Sequence, residues 1–237
     1  MRLSPWGRVV AISALLVVGG LLALAIGGVA SRERRLVSYP VTGALQGLAF
    51  DLGDGEITIV GGGQRDAVEV RRTERYAFGR VPETTRSVQA GVYKVTSRCP
   101  TSLLAKCNVG YRVVVPDNVA LEIHTTSGNV ALRGYRGSAK VSATSGSIEI
   151  AGYCGNALDA RAGAGSITLD AICAPPQTTL RAESGDVHAT LPAGRYDIDA
   201  ESSSGDARVR GITARDDAPY TVQVLSSSGD VDVEGRN

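Results

Sequence analysis

Three aspartates occupy equivalent places late in the chain: Asp186, Asp206 and Asp230 each follow a Ser-Gly pair. Calcium takes several carboxylate oxygens, and neighbouring like charges repel unless a cation lies between them, so a calcium site is one chemistry this column offers. The other is plainer: each carboxylate accepts hydrogen bonds from turn amides and stays solvated. The longer spacer before Asp230, and the lack of a calcium-solenoid consensus, favour the second, so no metal is expected. Of the two histidines, His124 and His188, alternation with Ile123 and Val187 sends both outward. No GxSxG or other nucleophile motif accompanies them. Glu149, Asp159, Asp170 and Glu183 supply acids for a glycan-active site, but no spacing singles out a working pair. No catalytic residue and no cofactor is assigned.

The four cysteines, Cys99, Cys107, Cys154 and Cys173, form no CxxC pair, which argues against zinc. An even number behind an apolar N-terminal run fits disulfides in an oxidising compartment. Cys99 and Cys107 flank a short loop and are expected to bridge locally. Cys154 and Cys173 lie one repeat period apart, and stacked repeats would bring them within bonding distance. Each bridge is worth about 2–4 kcal/mol.

That period is the main structural signal. Ser127-Gly128-Asn129-Val130-Ala131-Leu132 is followed by Ser145-Gly146-Ser147-Ile148-Glu149-Ile150 and Ala164-Gly165-Ser166-Ile167-Thr168-Leu169. Ser184-Gly185-Asp186-Val187-His188-Ala189, Ser204-Gly205-Asp206-Ala207-Arg208-Val209 and Ser228-Gly229-Asp230-Val231-Asp232-Val233 complete the series, and Asp54-Gly55-Glu56-Ile57-Thr58-Ile59 is an outlying copy. The turn glycines Gly128, Gly146, Gly165, Gly185, Gly205 and Gly229 step by 18, 19, 20, 20 and 24 residues. A unit of about 20 residues holds two strands and two turns, which suits a coil of a β-solenoid. The expected fold is all-β: stacked coils with two facing sheets, aliphatic ladders between them, and each unit seated on the one before. Tyr135 and Tyr153, also near one period apart, fall at positions read as outward, with Arg136, Arg161, Ser202 and Ser203. Residues 48–115 are less regular, with strands expected at 55–60, 67–75, 92–98 and 111–115 and an exposed loop over 80–86.

Twenty-two uncharged residues, Val9 to Ala30, precede this domain. As a helix they span about 33 Å, enough to cross a bilayer core. A cleaved signal peptide is the competing reading, with Gly28-Val29-Ala30 before Ser31. The organisation expected is a short cytoplasmic tail (1–8), a transmembrane anchor or uncleaved signal (9–30), a linker (31–47) and an extracytoplasmic repeat domain (48–237). Arginines flank the run on both sides, Arg2 and Arg8 against Arg32, Arg34 and Arg35. The cysteines therefore decide the orientation, with the large domain outside the cytoplasm of the cell membrane. Lys and Arg number 25 against 24 Asp and Glu, so bulk charge gives no case for nucleic acid.

The Ser-Gly-Asp/Asn motif with alternating aliphatics resembles a bacterial family of domains of unknown function, labelled as candidate adhesins or β-strand-repeat proteins. So do Tyr111-Arg112-Val113-Val114-Val115-Pro116 before Leu121-Glu122-Ile123, and Leu191-Pro192-Ala193-Gly194 before Ser204-Gly205-Asp206. The resemblance covers about residues 45–235. It implies a single-pass or secreted envelope protein, brings no catalytic residues with it, and sets some members near envelope-stress regulators. Two Cys pairs and the irregular 80–106 stretch depart from the simplest members. The function expected is a non-catalytic, membrane-anchored module for adhesion, envelope-polymer binding or a structural role. Expected partners are the membrane, an envelope polymer or protein, and a second copy through the C-terminal edge. The alternatives are an accessory of an envelope-stress system and a glycan-active β-helix enzyme.

Overall fold

A computed structural model of the chain describes residues 13–20, 32–101, 107–117 and 119–236. Residues 13–20 are helical, and among the described residues no helix is long and apolar enough to cross a membrane. Most of the expected anchor, 9–30, and all of the tail, 1–8, lie outside the described residues.

Everything else is strand and turn, because the alternation in the repeat makes one face of each segment apolar. The repeats contribute β8 (Ala120–Ser127), β9 (Val130–Arg133), β10 (Ala139–Ser145), β11 (Ile148–Tyr153), β12 (Ala157–Ala164), β13 (Ile167–Ala171), β14 (Gln177–Ser184) and β15 (Val187–Pro192). They continue through β16 (Arg195–Ser202), β17 (Ala207–Arg210), β18 (Thr213–Ala214), β19 (Thr221–Ser226) and β20 (Val231–Arg236). Before them come β1 (Arg32–Thr42), β2 (Gly47–Asp54), β3 (Ile57–Val60), β4 (Ala67–Ala77), β5 (Glu83–Gln89), β6 (Val92–Arg98) and β7 (Asn108–Val114). In β14, Thr178, Leu180 and Ala182 point inward and Gln177 and Arg181 outward. The same pattern in the other rungs fills the space between the sheets with Ile59, Leu132, Val141, Leu169, Leu180 and Val224, all fully buried.

Each repeat sends the strand before its glycine turn to one sheet and the strand after it to the other. One ten-stranded sheet runs β1-β4-β7-β3-β9-β11-β13-β15-β20-β17, and the facing one runs β18-β16-β19-β14-β12-β10-β8-β2-β6-β5. The interior neighbours are parallel and in register, for example Val141 beside Ile123 and Ala160. The antiparallel pairs, β1 with β4, β4 with β7 and β5 with β6, cap the N-terminal end.

The glycine turns set the closeness of the stack. Gly128, Gly146, Gly165, Gly185 and Gly229 sit at φ of 147°, 145°, 143°, 142° and 141°, a region that L side chains rarely adopt. A Cβ on any of them would strike the carbonyl oxygen of the glycine one rung earlier. That series reads Gly55, Gly128, Gly146, Gly165, Gly185, Gly229, Gly205, which is not chain order.

Four expectations are corrected here. First, units do not always sit on their sequence neighbours. The β19–β20 rung inserts between β14–β15 and β16–β17, and the β2–β3 rung inserts between β6–β7 and β8–β9. Backbone pairing carries no sequence information, so identical motifs accept either neighbour. Second, 31–47 is not simply a linker: β1 occupies 32–42 and pairs along its whole length with β4. Third, the loop expected over 80–86 gives way at Glu83 to β5, which pairs with β6. Fourth, the final strand β20 lies inside its sheet, so the open edge belongs to β16–β18 and not to the C-terminal strand.

Candidate functional site

Asp186, Asp230 and Asp206 do stack in one column, in that order. Asp230 N–H donates to Asp186 Oδ1 at 2.9 Å, and Asp206 N–H donates to Asp230 Oδ1 at 2.9 Å. Ser147 N–H reaches Asn129 Oδ1 at 2.9 Å in the same way, and Asp186 N–H reaches Ser166 Oγ at 3.3 Å. The column is a ladder in which each side chain holds the amide of the next rung. That engages one carboxylate oxygen each of Asp186 and Asp230. Among the described residues no group of three or more His, Cys, Asp or Glu is placed to hold a metal. We expect Asp230→Ala to cost about 1 kcal/mol by freeing one amide acceptor, and Asp230→Asn to cost less than half of that. Urea denaturation measures both, and calorimetry with calcium should give no heat.

Three of the other acids are dispersed in ion pairs, Asp159 with Arg161 at 2.9 Å, Glu149 with Arg133 at 3.6 Å and Asp170 with Arg236, while Glu183 is exposed. His124 is exposed. His188 lies half-exposed beside Asp232 and Thr190. Both cysteine pairs form. Cys154 and Cys173 are 4.8 Å apart at Cα on adjacent rungs, and Cys99 and Cys107 are 5.7 Å apart.

Tyr135 and Tyr153 are not a surface pair: they are 1 % and 0 % exposed. Each turns inward at the corner after its strand. The Tyr153 hydroxyl lies 2.6 Å from the Ala157 carbonyl and 3.0 Å from that of Gly137, and Tyr135 binds the Val119 carbonyl. Tyr196, at the start of β16, is buried as well and donates back to the Pro192 carbonyl at 2.8 Å. The signal was present in the sequence. A glycine stands two residues after Tyr135 and Tyr153, and at Gly137 and Gly155 a Cβ would collide with the phenol of that tyrosine.

Two surface features of the repeat stack could take a ligand. One is a shallow groove of about 530 Å³ crossing the starts of β2, β8, β10, β12 and β14, where Ala49, Glu122, Lys140, Asp159 and Thr179 line up across the rungs. Lys140 and Glu122 pair at 3.3 Å on its surface. The other is the open end of the stack. All four residues of β17 are exposed, Val209 at 41 %, while Val233, its partner in the next rung, is at 0 %. Ile198 and Ala200 on β16 are only partly covered.

The backbone there is free too. Val231 donates to the Asp206 carbonyl. In a parallel ladder this turns both polar groups of Arg208 toward β20 and those of Ala207 and Val209 outward. Asp197 donates to Tyr220 and Ser203 to Ser226, so Ile198 and Ala200 likewise face outward. The sequence alone places this edge at the chain's last strand. The cue that moves it is the long step from Gly205 to Gly229, which gives the chain enough length to double back.

Paired sheets stacked rung on rung and repeated glycine turns define a β-repeat domain of the solenoid type. Residues 117–234 match the family described as Toastrack DUF4097, a stretch that begins just before β8 and ends within β20. Among solved structures, the chain is similar to a candidate cell adhesion protein from Clostridium sporogenes, at 11% identity and a TM-score of 0.46, over 86% of this chain and 100% of that one. It is also similar to a candidate adhesin from Bacteroides fragilis, at 12% identity and a TM-score of 0.46, over 85% and 97%. No curated protein matches the chain.

Proposed function

We propose that the chain is a membrane-anchored, extracytoplasmic interaction module that binds protein partners by accepting an added β-edge at the open end of its stack. The exposed rung at β16–β17 carries this reading. It presents unpaired backbone groups on both sheets with uncovered apolar side chains between them, which is the surface β-augmentation uses. The two disulfides support an oxidising compartment, and the uncharged run Val9–Ala30 supports the anchor. Arg210, held by Asp232 at 2.8 Å and Glu234 at 2.7 Å, and Arg208, held by Asp206, put charge along this edge. Charge of that kind blunts indiscriminate pairing while leaving a complementary edge able to dock.

Val209→Pro tests the reading, because it removes an outward N–H without touching the β17–β20 hydrogen bonds. A pull-down from envelope fractions with the detergent-solubilised chain should retain a partner that the variant loses at least tenfold. Light scattering then distinguishes a second copy from a different protein. Equal capture by both forms, or a monomer that captures nothing, rejects it. The groove across β2–β14 favours a second reading, an extended polymer lying across the rungs. Binding on a glycan array, lost in Lys140→Glu, would support it.

A further inference from the structure

We propose that the β4–β5 turn, Phe78 to Val81, rests on the lipid headgroups of the membrane that anchors the chain, a proposal that depends on the anchoring read above. Only Ser31 separates the apolar run ending at Ala30 from Arg32, the first residue of β1. Two residue steps reach no further than about 7 Å, so the start of β1 lies at the bilayer surface. Arg32 is the register partner of Ala77, which puts the next residue, Phe78, at the same level.

The composition of this turn suits that position. Phe78 and Val81 are 47 % and 46 % exposed, two large apolar side chains projecting from one tight turn. Phe78 also holds φ at 55°, with Gly79 following at 65°. An aromatic residue seldom adopts that conformation, and here it leaves the ring facing outward. Arginines surround the turn. Arg34 is paired in register with Arg75, and Arg80 donates to the Thr101 carbonyl at 3.1 Å, which holds its charge at this corner. Glu33 and Glu83 are the exposed acids nearby, so the basic side prevails. An outward aromatic flanked by arginines is what an anionic headgroup layer attracts. The open rung at β16–β17 then lies at the far end of the stack, about 40 Å away at the usual strand spacing.

The test places a tryptophan at the turn. Trp6 is the chain's only tryptophan, so W6F/F78W carries a single probe, and W6F/V81W is a second in case the first fails to fold. The full chain is reconstituted in vesicles of phosphatidylcholine and phosphatidylglycerol. Retention after a carbonate wash reports the anchor. The probe should be quenched severalfold more by bromines on the upper acyl positions than by those near the bilayer centre, since interfacial burial reaches only about 5–10 Å. A W6F/V209W control at the opposite end should not be quenched. A chain that is retained but whose probe at 78 or 81 is unquenched and fully open to aqueous iodide overturns the proposal while leaving the anchor standing. A chain stripped by carbonate overturns both.

Discussion

Gly165→Ala should destabilise the fold by on the order of 4 kcal/mol, the combined effect of a forbidden backbone angle and a backbone collision. Gly165 sits at φ 143°, and its added methyl would meet the Gly146 carbonyl, an atom fixed in the ladder and unable to swing aside. The rung on the other side adds to the effect, because Gly185 packs on Gly165 in the same way. Displacing one turn therefore disturbs both contacts. For a domain of this size the change corresponds to a fall in melting temperature of about 10 °C. Gly62→Ala is the internal comparison. Gly62 also has positive φ, 79°, but nothing lies within 4 Å of its Cβ, so only the conformational cost of about 1 kcal/mol remains. Thermal and urea melts of the two variants separate steric closure from backbone preference. Equal losses would show that the column is not sterically closed.

The same column explains what could be read in advance. A Ser-Gly-Asp turn followed by alternating aliphatics specifies a strand, its inward face and the turn that precedes it, because each is a local property of a few residues. Two facing sheets, the aliphatic core and the Cys154–Cys173 bridge follow from that alone. Rung order is different. Val187 pairs with Val231, and nothing in its type distinguishes that partner from Ala207, the copy nearest in sequence. The interface between parallel rungs is made of backbone groups, so a repeat records how to stack but not on whom. At the N-terminal end the obstacle was another one. Arg32 to Thr42 is rich in charge, and its strand is specified by β4, whose paired residues lie 25 (Thr42 with Ala67) to 45 (Arg32 with Ala77) positions on. Alternation from Val130 and Leu132, and from Ile148 and Ile150, places Tyr135 and Tyr153 outward, but the chain turns at Gly134 and Gly152, at φ of 61° and 68°, and both rings come inward. At a corner where backbone carbonyls lack partners, the hydroxyl is what allows the ring to be buried.

That arrangement gives the second large effect. Tyr153→Ala should cost about 4 kcal/mol, since removing a fully buried aromatic leaves a cavity between rungs that cannot collapse without shifting both sheets. Tyr153→Phe keeps the ring and loses only the hydroxyl's bond to the Ala157 and Gly137 carbonyls, a cost of about 1–2 kcal/mol. Alkaline pH supplies an independent readout. Burial pushes the Tyr135, Tyr153 and Tyr196 hydroxyls above the ordinary phenol value of 10.0, and burial followed by the hydrogen bond to Tyr39 does the same for Tyr93. A proton held more tightly in the folded state contributes stability that is fully present below the unfolded value and is lost as pH rises through the folded one. The wild-type urea midpoint should therefore hold steady up to about pH 9 and fall steeply by about pH 11, as the unfolded phenols ionise first. Tyr153→Phe, with one fewer such proton, should start lower and decline less, so the gap between the two proteins narrows as pH rises. A gap that stays constant across that range would mean that the Tyr153 hydroxyl ionises as readily in the folded chain as in the unfolded one, which is incompatible with a sealed corner.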